Sequence, residues 1–137
     1  MKLHHALIVL AAAFSALTLP ASAADKVTTE AVHFTQGASS ATMKGSFSGY
    51  DSVQYTLSAR AKQTLHVKIA GSSNANFNVF SPGDVPGAAQ ALGAGATGTD
   101  WRGELPADGQ YTVQVYQMRA SARRGAKVPY TITFDIR

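Results

Sequence analysis

Apolar side chains return at every second position in one short run after another, and that period commits the chain to strands. The clearest run is Tyr111, Val113 and Val115, alternating with Thr112, Gln114 and Tyr116. One side of such a segment is apolar and the other polar, as in a strand with one face buried. The pattern recurs in Ala41–Phe47, in Val53, Tyr55 and Leu57, in Leu65, Val67 and Ile69, in Phe77–Phe80, and in Tyr130, Ile132, Phe134 and Ile136. Thr28–Phe34 and Asp100–Leu105 read as two further strands. That makes about eight short strands at roughly 8–12-residue spacing, without an amphipathic helical stretch, and predicts an all-β fold. A sandwich or a barrel of mostly antiparallel strands is the expected architecture, because one-sided alternation suits antiparallel strands with one face in solvent.

The segments between the runs carry turn chemistry: Ser48-Gly49-Tyr50-Asp51, Gly71-Ser-Ser-Asn74, Pro106-Ala-Asp-Gly109 and Gly125-Ala-Lys127. Ser81–Gly98 stands apart. It is rich in Gly, Ala and Pro, and is expected to be a loop with one helical turn near Ala88–Leu92, long enough to be functional or mobile. Within it Gly93-Ala-Gly-Ala-Thr-Gly98 looks superficially like a phosphate loop, but the Lys-Ser/Thr pair and the framing strand and helix are missing.

Residues 1–23 read as a secretory signal peptide. Lys2 is followed by a mostly apolar stretch from Leu3 to Leu17, then Pro20 and the small-residue site Ala21-Ser22-Ala23. Cleavage after Ala23 leaves residues 24–137 as one exported domain, periplasmic or secreted. A domain of this size can bury a core without staples, and the chain has no cysteine. Losing Lys2 lowers the formal net charge from +4 to +3. The lysines are scattered and the export signal leads away from nucleic acid, so no nucleic-acid partner is expected; nor, after cleavage, is a membrane one.

Little in the sequence supports catalysis. His33 and His66 fall within expected strands, with no second His or Cys at ligand spacing, so neither metal nor cofactor is expected. Asp51, Asp84 and Asp108 sit beside Gly or Pro in turns, where Asp has local hydrogen-bonding reasons to be. No serine lies in a nucleophile elbow. What does cluster is arginine. Arg119, Arg123 and Arg124 are three of the six arginines and follow directly on the clearest strand. Two readings are open: a solvated turn that protects an edge strand, or a claw whose guanidinium forks pair with carboxylates or other anions. Tyr50, in its turn, is a candidate companion. Tyr116 and Trp101 are either companions or core.

Leu105-Pro-Ala-Asp-Gly-Gln-Tyr-Thr-Val-Gln-Val-Tyr116, with Tyr55–Val67 and Phe77-Asn-Val-Phe80 before it, resembles the bacterial pre-peptidase C-terminal type of β-sandwich, which implies a single, jelly-roll-like antiparallel β-sandwich of about eight strands. That type carries Gly where Lys62 stands, so the Ala59–Gln63 connector is expected to differ. The continuation Val115-Tyr-Gln-Met-Arg-Ala-Ser-Ala-Arg-Arg124 is similar to the periplasmic inhibitors of g-type (goose-type) lysozyme. The resemblance implies a non-enzymatic inhibitor whose partner is a g-type lysozyme. It implies that Tyr50, Arg119 and Arg123, with Arg124 able to exchange with Arg123, enter the acidic cleft that cuts peptidoglycan. A mildly basic inhibitor gains no long-range steering toward a basic enzyme, so the attraction would be local to that cleft. The alternative is a periplasmic carbohydrate- or peptidoglycan-binding sandwich module, for which Trp101 is the one available indole.

Overall fold

The computed structural model describes residues 25–137; the expected signal peptide lies outside the described residues. Nine strands and one short helix follow in the order β1 (Val27–Ala31), β2 (Ser40–Ser48), β3 (Ser52–Ala59), β4 (Thr64–Gly71), β5 (Asn76–Phe80), β6 (Gly93–Ala96), β7 (Trp101–Glu104), β8 (Gly109–Tyr116), α1 (Arg119–Arg123) and β9 (Lys127–Ile136). They form a five-stranded sheet, β1-β3-β8-β5-β6, and a four-stranded sheet, β2-β9-β4-β7. All pairs are antiparallel except β1 with β3.

The period-2 runs put their apolar faces together. Tyr55, Leu57, Phe77, Val79, Tyr111, Val113 and Val115 of the first sheet share one core with Leu65, Val67, Ile69, Ile132 and Phe134 of the second, each at most 2% exposed. This is the face-to-face burial of a sandwich. Trp101, half-buried, packs at the margin of the same core.

Four expectations are modified. The first strand stops at Ala31 rather than Phe34, leaving His33 exposed beyond its end. The second half of the Ser81–Gly98 stretch is a strand, β6. Its glycines have a steric reason: a Cβ at Gly93 would run into the Trp101 indole, and one at Gly95 into the Phe77 ring. The single helical turn lies earlier, where the Ala88 and Ala89 amides both donate to the Val85 carbonyl. At the Ala59–Gln63 connector Lys62 itself takes φ 72°, the left-handed conformation that glycine adopts at no cost. Its amide donates to the Leu105 carbonyl, so the turn survives without the glycine.

One polar link crosses the core. The hydroxyls of Tyr55, in the first sheet, and Tyr130, in the second, lie 2.6 Å apart, with the rings edge to face. Burial lifts both phenols above their ordinary range, that of Tyr55 being partly offset by its hydrogen bond to Tyr130. Both folded-state pKa values are raised, so the stability tied to this pair is fully present below the unfolded tyrosine pKa of about 10 and is lost above it. Stability measured by urea unfolding is therefore expected to be insensitive to these groups up to about pH 9 and to fall above about pH 10. Tyr130→Phe strands the buried Tyr55 hydroxyl and should destabilise by about 1–3 kcal/mol, with the Tyr55→Phe/Tyr130→Phe double variant costing less than the two singles summed.

Candidate functional site

The sequence-predicted residues meet at one end of the sandwich. β2 leaves the four-stranded sheet through the Gly49-Tyr50 turn and enters β3 of the other sheet. β8 makes the return crossing through α1 into β9. Because β2 pairs with β9 and β3 with β8, the two crossings run side by side.

The arginine segment, expected as a loop, is one turn of α-helix. Ala120, Ala122 and the arginines favour helix. Gly125, at φ 68°, stops it: its amide donates to the Ala122 carbonyl and that of Ala126 to the Ser121 carbonyl, the paired bonds of a Schellman motif. Ser121 and Ala122 are buried against the sandwich, where only small side chains fit so close an approach. Arg119, Arg123 and Arg124 are all exposed. Arg119 and Arg123 stand four residues apart in the helix and so project from one side of it, about one turn from each other. Arg124, the C-cap residue, is rotated about 100° away from Arg123. The pair that shares a face is therefore Arg119 and Arg123. Among the described residues none of the three lies in a salt bridge.

Gln117 joins the two crossings. Its side-chain amide donates to the Gly49 carbonyl at 3.0 Å and to the Ala126 carbonyl at 2.8 Å, while the Gly49 amide donates to Ala126 at 3.2 Å. Gly49 has φ 58°, left-handed backbone that suits glycine. The turn leaves Tyr50 about half exposed, at 49%, and brings Gly49 against the arginine helix, where an added Cβ would lie 3.7 Å from the Ala122 carbonyl oxygen. Asp51 closes the turn, its Oδ1 accepting from the Lys26 amide at 2.8 Å. Met118, just before the helix, is another large exposed side chain at this end, at 57%.

Tyr116 is neither core nor part of the arginine face. It lies half-buried on the outer side of β8 and lines a groove of about 430 Å³ that begins at Tyr50. Gln117 was the residue least visible in the sequence; its one trace there is that the outward alternation of β8 ends at a polar residue placed where an inward one is due. His66, outside this site, bonds Asp100 at 3.0 Å on the outer face of the second sheet. Among the described residues no three of His, Asp and Glu converge as metal ligands. The site's chemistry is that of guanidinium, phenol and amide groups: it can grip carboxylates bidentately and pack a ring beside them.

No protein-family model matches the chain. It is 31% identical over 106 residues to the inhibitor of g-type lysozyme of Escherichia coli K12, across 77% of this chain and 79% of that protein. The crystal structure of Aeromonas hydrophila PliG, a periplasmic lysozyme inhibitor of g-type lysozyme, superposes with a TM-score of 0.81 at 59% identity, covering 83% of this chain and all of that one. The pre-peptidase C-terminal domain of a Bacillus anthracis collagenase shares the fold, with a TM-score of 0.52 at 14% identity over 85% of this chain and 99% of that one.

Gln117→Ala should leave the half-buried Gly49 carbonyl without that donor and the Ala126 carbonyl with the Gly49 amide alone, and destabilise by about 1–3 kcal/mol in urea unfolding. The Gly49 amide should exchange faster with deuterium as the crossings part. Gln117→Glu should cost more at neutral pH, because it sets a carboxylate against the same two carbonyl oxygens.

Proposed function

This chain belongs to the family of periplasmic inhibitors of g-type lysozyme, and from that membership we propose that it is itself an exported inhibitor of such an enzyme, acting by occlusion of the active-site cleft. In this reading residues 1–23 direct export, and residues 24–137 act in the periplasm or beyond it. The chain is a binding protein and not an enzyme. Its partner is a g-type lysozyme.

The observation that carries the reading is the pairing of Arg119 and Arg123 on one exposed helical face, with no salt-bridge partner among the described residues and next to the turn that holds the half-exposed Tyr50. Glycoside hydrolysis runs on carboxyl groups held in a cleft. Two guanidinium groups about one helical turn apart can each engage a carboxylate there through parallel N–H···O bonds. Tyr50 supplies an aromatic surface of the kind that concentrates binding energy when it is desolvated. Arg124, turned aside, contributes charge at the rim, where salt screens it.

Cell-wall turbidity with a g-type and a c-type lysozyme tests this. The parent protein is expected to slow clearing by the g-type enzyme in a dose-dependent way and to leave the c-type enzyme untouched. Arg119→Ala and Arg123→Ala should each weaken inhibition by about 2–5 kcal/mol, a factor of roughly thirty or more. Arg124→Ala should weaken it far less. All three side chains are exposed, so folding stability should change by no more than about 0.5 kcal/mol. A double Arg119/Arg123 variant that inhibits like its parent would show that another surface enters the cleft.

A further inference from the structure

A second feature at this end of the molecule is independent of the arginine face. The chain after β5 folds back over the outer side of the five-stranded sheet and buries Phe80, 3% exposed, outside the main core. Between this returning segment and the Tyr50-Asp51-Ser52 turn lies the open groove of about 430 Å³, within the range of small-molecule sites. Its floor is made by Asn78 and Gln114, directly opposed in the β5–β8 register. Tyr116 and Tyr50 border them, and Gly87 and Ala89 form a wall of little bulk.

The floor has unused hydrogen-bonding capacity. Among the described residues the Asn78 carboxamide has no hydrogen-bond partner, and that of Gln114 makes one long contact, 3.5 Å to the Ser52 hydroxyl. Each carboxamide offers both donors and an acceptor. The one charged side chain in the lining is Asp51, and its Oδ1 is already engaged by the Lys26 amide. A lining with amides, phenols and no free cation suits a neutral ligand dense in hydroxyl and amide groups, with a ring face to lie on tyrosine. It does not suit an anion.

We propose that this groove is a glycan site for an N-acetylated amino sugar, whose hydroxyls and acetamido group pair with Asn78 and Gln114 while its ring lies against Tyr116 or Tyr50. An exported protein meets such a sugar as a soluble fragment or as the cell-wall polymer, and the chemistry is shared. The site does not rest on the lysozyme reading; Tyr50, Asp51 and Gln117 border both surfaces, and none of the arginines lines the groove.

The test is an amide-shift titration of the isotopically labelled protein with tetra-N-acetylchitotetraose, alongside co-sedimentation with purified peptidoglycan sacculi and no enzyme present. Saturable shifts are expected at Asn78, Gln114, Tyr116 and residues 87–91. Asn78→Ala/Gln114→Ala, or Ala89→Trp placed to fill the groove, should weaken binding at least about tenfold. Arg119→Ala/Arg123→Ala should bind the sugar like the parent, so that loss of inhibition and loss of glycan binding separate. Retention on sacculi without response to tetra-N-acetylchitotetraose would place recognition elsewhere and overturn the proposal. So would absence of shifts at about 10 mM sugar, shifts confined to Arg119–Arg124, groove shifts appearing only when lysozyme is added, or undiminished binding by both groove variants.

Discussion

Two sheets packed about 10 Å apart must be joined by chain that crosses their ends, and in this molecule two such crossings are forced together. β2 lies beside β9 in one sheet and β3 beside β8 in the other, so the β2–β3 turn and the β8–β9 connection cannot avoid each other. Ser48 pairs with Lys127 on one side of the gap and Val53 with Val115 on the other. The space between is closed by the Gln117 carboxamide, bonded to Gly49 and Ala126. Tyr50 and the arginine helix owe their neighbourhood to this topology, for Gly49 and Gln117 are 68 positions apart in the chain.

The same constraint explains why the arginines ride on a helix. A single helical turn, ended by Gly125 and seated on the small buried residues Ser121 and Ala122, spans the gap with defined backbone. Guanidinium groups on such a support lose less freedom on binding than groups on a flexible loop would. The protein itself gains little from their placement: three like charges lie within six residues, the first turn holds no acidic residue, and Arg119 stands at the helix start, where a cation is unfavourable.

The sequence exposed the strands because a half-buried strand imprints its two faces directly on alternate residues. Seven of the expected runs lie where the period placed them, and the turn at Gly49-Tyr50 and the stop at Gly125 follow from glycine chemistry. The places where the reading fell short share a cause. β6 has no apolar alternation because aromatic rings from Phe77 and Trp101 occupy the room its side chains would need. β1 pairs in parallel with β3, and pairing direction leaves no local mark on so short a strand. Five helical residues after a strand present too few positions to show a helical period. Tyr116 could not be assigned to core or surface until the returning segment was seen to leave a groove over it.

By itself, then, the sequence determined an all-β chain with alternating strands, located its turns, singled out Arg119, Arg123, Arg124 and Tyr50, and carried the likeness to the family. Those are properties of neighbouring residues, and local sterics and periodicity are enough to produce them. The tertiary structure decided which arginines share a face, that the Gly49-Tyr50 turn lies against their helix, that Gln117 binds the two crossings, and that Asn78 and Gln114 form one floor. Each of these depends on strand order and register, which arise from the joint burial of distant segments and are written in no single stretch of the chain.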